Sequence, residues 1–270
     1  MIDPEAIARD IITARANREP IAVLPSARGL DLTAAYAVEA ELLRLRREDG
    51  RSPVGLKVGY ANKAVWRALK LETLVWAHMY DDTVTVATAS TATLAVGRMI
   101  APKIEPEIVV RLASAVPAGL TDPVAVLGHV EWLALGFEII DCPYADWKFQ
   151  PPDFVAAYGL HVALFVGEPY RPAPETFGTL AEQLSAFKVT LSKDDAGAAE
   201  GAGKNALRSP ALCVAELATA RERAGLAPLA PGDLISTGTL TESQPMAAGQ
   251  CWTARLDGLP LRALTLNTEP

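Results

Sequence analysis

The periodicity of the apolar residues changes near residue 80, and that change constrains the fold more than any single motif. Before it, the chain reads as helices. Ile7, Ile11 and Ile12 recur at helical spacing behind Asp3 and Pro4, which suit a cap and a first helical position. A second helix is predicted from Thr33 as cap, through Tyr36, Val38, Leu42, Leu43 and Leu45, to near Gly50. A third, short one is predicted from Asn62 to about Leu71. Beyond residue 80, strand-like runs dominate: 84–96, rich in Thr, Val and Ala, then 104–112, 162–166, 187–191 and 234–237. Runs at 252–256 and 259–266 flank Asp257-Gly258, a hairpin signal. One helix interrupts the strands, with Ser209 as cap, Pro210 first and Gly225 at its end. Helices first and strands afterwards, without regular alternation, predict an α+β fold and argue against a doubly wound sheet. No internal repeat is visible, and the Gly/Ala-rich stretch 196–203 reads as a mobile loop.

Half of the 270 residues are hydrophobic and 21% are charged, which leaves ample material for a core in one or two domains. The net charge is −7 with no cluster of Lys and Arg, so a phosphate backbone would be repelled and no nucleic-acid partner is expected. No apolar stretch approaches the ~20 residues of a membrane span. Met1-Ile2-Asp3-Pro4-Glu5 lacks the basic region and apolar run of a secretory signal. The three cysteines, Cys142, Cys213 and Cys251, are odd in number and far apart. That argues against a disulfide framework or a Cys-rich zinc site and fits a reducing cytoplasm.

The sharpest local feature is Lys103-Ile104-Glu105-Pro106-Glu107-Ile108-Val109-Val110. On a strand, residues two apart share a face, about 6.6 Å apart along the chain. Glu105 and Glu107 would then point the same way from an apolar segment, and two like charges half inside a protein need compensation. A hard dication such as Mg²⁺ or Mn²⁺ supplies it. The alternative is a solvated edge strand, with Pro106 blocking ladder pairing. Glu138 sits in the apolar run Leu135-Gly136-Phe137-Glu138-Ile139-Ile140-Asp141, as a third ligand or as the partner of a buried Arg or backbone group. Lys57, in Val54-Gly55-Leu56-Lys57-Val58-Gly59, is either desolvated, with a lowered pKa that suits a proton shuttle, or a surface lysine with a buried stem. Asp81-Asp82 reads as an acid pair near the site or as a turn.

Familiar motifs fail. Gly201-Ala202-Gly203-Lys204-Asn205 lacks the upstream glycine and the Ser or Thr of a phosphate loop. His78, His129 and His161 have no ligand spacing and read as structural, and no serine elbow or Cys-His arrangement is present.

Six landmarks, in order, resemble the 2-keto-4-pentenoate hydratase and 4-oxalocrotonate decarboxylase branch of the fumarylacetoacetate hydrolase superfamily. They are Leu32-Thr33-Ala34-Ala35-Tyr36-Ala37-Val38, Gly55-Leu56-Lys57-Val58-Gly59, Tyr80-Asp81-Asp82 and Pro102-Lys103-Ile104-Glu105-Pro106-Glu107. Glu138-Ile139-Ile140-Asp141 leading to Asp146-Trp147-Lys148 follows, and Gly232-Asp233-Leu234-Ile235-Ser236-Thr237-Gly238-Thr239-Leu240-Thr241 is the last. The resemblance implies a mixed β-roll with peripheral helices over 76–270, preceded by a small helical segment over 1–75. It implies Glu105, Glu107 and Glu138 as ligands of Mg²⁺ or Mn²⁺, Lys57 as the active-site lysine, and Asp82 as a group that helps deliver water. Trp147, Tyr158 and Thr239 would meet the substrate. The implied reaction is hydration of a 2-hydroxy-2,4-dienoate in a catabolic pathway, by a cytoplasmic homo-oligomer or one paired with a decarboxylase or hydratase subunit. Metal-dependent decarboxylation of a 2-oxo diacid such as 4-oxalocrotonate and cleavage of an acylpyruvate are the rival activities, and a non-catalytic partner subunit is the rival from another class. The chain departs from the family at Ala156-Ala157-Tyr158-Gly159-Leu160-His161, where the hydratases carry an Asp-Asn-Ala-Ser-like stretch. Leu207-Arg208-Ser209-Pro210 likewise replaces a Leu-Gly-Asn-Pro-like turn.

Overall fold

The computed structural model describes residues 2–270. In chain order the elements are α1 (Pro4–Asn17), α2 (Leu32–Glu48), β1 (Pro53–Gly59), α3 (Lys63–Leu69), β2 (Val75–Tyr80), β3 (Val84–Val86), β4 (Thr91–Ala95) and β5 (Pro102–Leu112). Then follow α4 (Pro123–Leu127), β6 (Val130–Asp141), α5 (Pro151–Ala156), β7 (His161–Val166), α6 (Phe177–Ala186), β8 (Lys188–Lys193), β9 (Ala196–Ala202) and α7 (Pro210–Arg223). The chain ends with β10 (Leu234–Ser236), β11 (Gln244–Pro245), β12 (Cys251–Asp257) and β13 (Leu264–Glu269).

The strands form two sheets, which bears out the α+β reading. The larger runs β2-β1-β10-β5-β6-β7-β3, with β11 also paired to β5, and the smaller runs β4-β13-β12-β8-β9. Most neighbours are antiparallel, whereas β1 with β10, β3 with β7 and β4 with β13 are parallel, so both sheets are mixed. β5 and β6 pair from Pro102 opposite Asp141 to Leu112 opposite Val130 and form the spine of the larger sheet. Both of their faces are covered, because Ile104, Ile108, Val109 and Val110 are all buried. None of the helices among the described residues is long and apolar enough to cross a membrane.

Several local signals act as expected. The Asp3 carboxylate accepts from the Glu5 and Ala6 amides with Pro4 behind it, and Asn62 caps α3 through the Ala64 amide. Ser209 stands at the cap position of α7, with Pro210 first and Gly225 just past its end, but its buried hydroxyl makes no capping bond.

Others are corrected. α2 is capped by Asp31, whose side chain accepts from Ala34, and not by Thr33, since a carboxylate in extended backbone two residues earlier takes the orphan amide. β1, inside the expected helical segment 1–75, is a strand between β2 and β10, so the larger sheet crosses that boundary. The stretch 196–203 is no loop. Its small residues let β9 pair with β8 and pass close to other backbone; a Cβ on Gly201 would lie 1.9 Å from the Leu240 carbonyl oxygen. The hairpin partner of β12 begins at Leu264, later than the sequence suggests, and α4, α5 and α6 add three helices among the strands.

Candidate metal centre

β5 is not an edge strand, and the way it tolerates Pro106 shows how the site is laid out. The Pro106 carbonyl accepts from the Leu240 amide, so the Pro106 nitrogen faces that same side, away from β6. On that side β10 ends opposite Val109 and β11 begins opposite Ile104. The proline therefore sits where the segment 237–243 leaves the sheet, and no ladder bond with β6 is lost.

Glu105 lies opposite Glu138 and Glu107 opposite Gly136, while Lys57 lies opposite Ser236 and Ser236 opposite Val109. By the two-residue period of a strand, this register puts Lys57, Ser236, Glu105, Glu107 and Glu138 on one face across four strands. Glu105, Glu107 and Glu138 each offer one oxygen within 4.8 Å of the others. Glu107 and Glu138 are fully buried and Glu105 half-buried.

The oxygens are not equivalent. Glu107 Oε2 accepts from Ser236 Oγ at 2.5 Å and from the Gly238 amide at 2.9 Å. Its buried Oε1 has no hydrogen-bond partner. Glu138 Oε1 faces His161 Nδ1 at 3.1 Å, and its Oε2 lies 3.0 Å from Lys57 Nζ. His161 Nε2 meets Thr83 Oγ1 at 2.9 Å. Lys57, 2% exposed, donates to the Gly159 carbonyl at 2.9 Å and lies 4.8 Å from the centre of the Phe154 ring. Gly159 is needed there: its φ is +60° and a Cβ would lie 2.6 Å from Lys57 Cδ.

Burial pushes Glu105 and Glu107 up to about 8 and raises Glu138 as well; the Lys57 ammonium opposes the rise in each. For Lys57, burial alone would lower the pKa, as the sequence suggests, but the negative charge of Glu138, Glu105 and Glu107 outweighs it and the net shift is upward. A lysine raised this way is an ammonium at neutral pH. An all-carboxylate donor set with one uncommitted buried oxygen, on Glu107, fits a hard divalent cation.

That fit carries a pH dependence. The folded, metal-free chain keeps protons on Glu105 and Glu107 that an unfolded chain releases from about 4.5 upward, so its stability falls as pH rises from about 4.5 to about 8. Metal binding must displace those protons, so apparent affinity for Mg²⁺ climbs across the same window and levels off above about 8. Calorimetric titration in buffers of different ionisation enthalpy counts the protons; an affinity that stays flat across the window would contradict the assignment.

A cavity of about 320 Å³ opens onto the site. Trp147 and Thr239 line it with Lys57 and Glu105, beside Phe149 and Phe154. Asp82 and Tyr158 do not reach it. Asp82 follows β2 at the end remote from Ala77, the neighbour of Lys57, and its carboxylate is held by Arg46 and Arg51. Tyr158, with φ +58°, is turned into a separate cavity that Asp82 shares. The contacts of Ser236, Gly238 and His161 with the carboxylates are additions to the sequence reading. Ser236 is recognisable once β10 is placed beside β5, because its parity matches Glu107. His161 carries no such signal: it approaches Glu138 through a register shift between Ile139 and Ile140 in the β6–β7 pairing.

Two mixed sheets with a carboxylate trio on β5 and β6 define a class, and the comparisons agree with it. The chain has the fumarylacetoacetate hydrolase fold, and the relatives it resembles in sequence carry the names of 2-keto-4-pentenoate hydratases and 4-oxalocrotonate decarboxylases. No family model matches it. It is 28% identical over 225 residues to 2-hydroxyhexa-2,4-dienoate hydratase of Comamonas testosteroni, covering 83% of this chain and 82% of the relative. It is 27% identical over 258 residues to 2-keto-4-pentenoate hydratase of Paraburkholderia phymatum, covering 94% of both. Among solved structures it is similar to 4-oxalocrotonate decarboxylase from Pseudomonas putida G7, complexed with magnesium and adipate, at a TM-score of 0.86 and 25% identity, covering 98% of this chain and 97% of that one.

Proposed function

We propose that the chain is a divalent-metal-dependent hydro-lyase that adds water to a 2-hydroxy-2,4-dienoate in the breakdown of aromatic compounds. The observation that carries this reading is the convergence of Glu105, Glu107 and Glu138, with a buried, unpartnered oxygen on Glu107. These three would hold the ion, Mg²⁺ or Mn²⁺. A hard dication supplies positive charge to the adjacent oxygens of a 2-oxo acid head and so stabilises an enolate. Lys57 delivers and recovers the proton at the carbon skeleton as the dienol becomes the 2-oxo enoate and water then adds. Trp147, Phe149 and Phe154 shield that skeleton from bulk water, and Thr239 offers a hydroxyl at the cavity wall. A homo-oligomeric state and a cytoplasmic setting belong to the same reading, on the strength of the resemblance.

Decarboxylation is the second reading, favoured by the likeness to the Pseudomonas putida decarboxylase. One feature of the cavity weighs against it. Among the described residues Lys57 is the sole Lys or Arg lining the cavity and already serves Glu138 and Gly159, so no uncommitted cation stands on its wall for the far carboxylate of a diacid. Incubation of the Mg²⁺-loaded protein with 2-hydroxypenta-2,4-dienoate and with 4-oxalocrotonate separates the two. Hydration of the first with little CO₂ from the second is expected. The reverse pattern would make the chain a decarboxylase, and turnover of neither would remove the catalytic reading.

A further inference from the structure

A second cavity, of about 230 Å³, shares no lining residue with the first. Its polar wall holds two groups that the fold leaves unfinished. Tyr80 is 1% exposed and its hydroxyl has no hydrogen-bond partner. Arg15 reaches in from α1 with its Nε equally buried and unpartnered. The remaining Arg15 nitrogens are spent on carbonyls, those of His161 at 2.9 Å and Ala157 at 3.0 Å, with Asp141 O at 3.5 Å.

The charges do not balance either. Arg46, over the Tyr80 ring at 4.8 Å, is neutralised by Asp82, which Arg51 also engages. Arg15 has no carboxylate within ion-pair distance among the described residues; the Tyr158 ring face, 5.0 Å away, and the more distant Asp141 carboxylate, itself committed to the Ile100 and Ala101 amides, give it partial support. A buried guanidinium without a counter-charge is costly, and so is a buried hydroxyl or N–H without an acceptor. Water entering the cavity can accept from both groups, but it brings no negative charge.

We propose that this cavity binds a small aliphatic carboxylate, whose oxygens take the Arg15 Nε–H and the Tyr80 O–H while its alkyl part lies against Ile12 and Val162. A carboxylate answers all three deficits with one group, and a charged acceptor strengthens both hydrogen bonds. The two aliphatic side chains favour a short carbon tail over inorganic phosphate. The bound molecule would lie against His161 and Thr83, the pair that reaches Glu138 from this side of the sheet. The site is therefore next to the carboxylate trio yet separate from it. It also gives Tyr158 and Asp82 a place of their own, Tyr158 beneath the Arg15 guanidinium and Asp82 as the partner of Arg46 and Arg51 rather than of Arg15.

The test is calorimetric titration of sodium propionate into the Mg²⁺-treated full-length protein, with oxalate in excess to fill any carboxylate position at the trio. One propionate site is expected, with no heat from propionamide, its neutral counterpart, or from inorganic phosphate. Tyr80→Phe removes a hydroxyl that has no partner in the fold, so the variant should melt where the parent does and bind propionate roughly five- to tenfold more weakly. Arg15→Gln should weaken binding roughly 10- to 100-fold. Because that variant also loses carbonyl contacts, the Tyr80→Phe result decides the case if it fails to fold. Absence of propionate binding, equal binding of propionate and propionamide, preference for phosphate, or unchanged affinity in Tyr80→Phe would each overturn the proposal.

Discussion

Replacing Glu107 with Ala is expected to abolish divalent-metal binding and to lower dienoate turnover roughly a thousandfold or more, the scale on which loss of a principal electrostatic stabiliser acts. Glu107 is the decisive position because its two oxygens divide the work. Oε2 is fixed by Ser236 and the Gly238 amide, and that anchoring leaves Oε1 buried and uncommitted. The fold thus holds one oxygen ready, at a desolvation cost that a dication removes. The Ala variant also strands the Ser236 hydroxyl and the Gly238 amide, which costs about 1–3 kcal/mol of stability. Glu107→Gln controls for this, since its side-chain oxygen can still accept from both. It should melt close to the parent in the absence of metal yet fail to bind Mg²⁺ tightly, because a neutral amide is a poor substitute for a carboxylate at a hard cation. Full dienoate turnover by Glu107→Ala after chelation and dialysis would show that the trio is not the metal site.

Glu105 and Glu107 were legible as a same-face pair because a strand's two-residue period is local and survives any tertiary context. Their meaning was not. The same Glu-Pro-Glu spacing suits a solvated edge, and only the arrival of β6, with Glu138 directly opposite Glu105, turns two acids into three around one point. That register belongs to a pairing between segments some thirty residues apart in sequence, beyond the reach of local spacing, and here the six ordered landmarks did what periodicity could not. Asp82 shows the opposite limit. Its turn was readable, but whether a turn faces the site depends on how far along β2 it falls, and it falls at the end held by Arg46 and Arg51. His161 was read as structural for want of a spacing partner, and the partner it has, Glu138, comes to it through a strand irregularity that leaves no mark in the sequence. The glycines at 201 and 203 misled for a related reason. Flexibility and close packing call for the same residue, and in β9 it is packing that prevails.

Lys57→Met is expected to separate proton transfer from metal binding. Met keeps the length and apolar stem of the lysine, so the space beneath Gly159 and beside Phe154 stays filled, but the ammonium between Glu138 and the Gly159 carbonyl is gone. If Lys57 handles the proton at the substrate carbon, kcat/KM should fall by roughly 10²- to 10⁴-fold, the usual scale for removing a positioned general acid or base. Metal affinity should move the other way. In the metal-free chain the Lys57 ammonium is the cation that offsets the three carboxylates, and a dication competes with it for the same negative charge. Without Lys57 the trio binds Mg²⁺ at least as tightly, and the metal-free variant is less stable at neutral pH than the parent until metal is added. Titration of Mg²⁺ and exchange of the substrate's carbon-bound hydrogens in D₂O read the two consequences independently. A purely structural lysine would lose metal binding and exchange together, and a spectator would change neither. Only the split, with exchange lost and metal retained, is what an ammonium wedged between a metal ligand and a backbone carbonyl predicts.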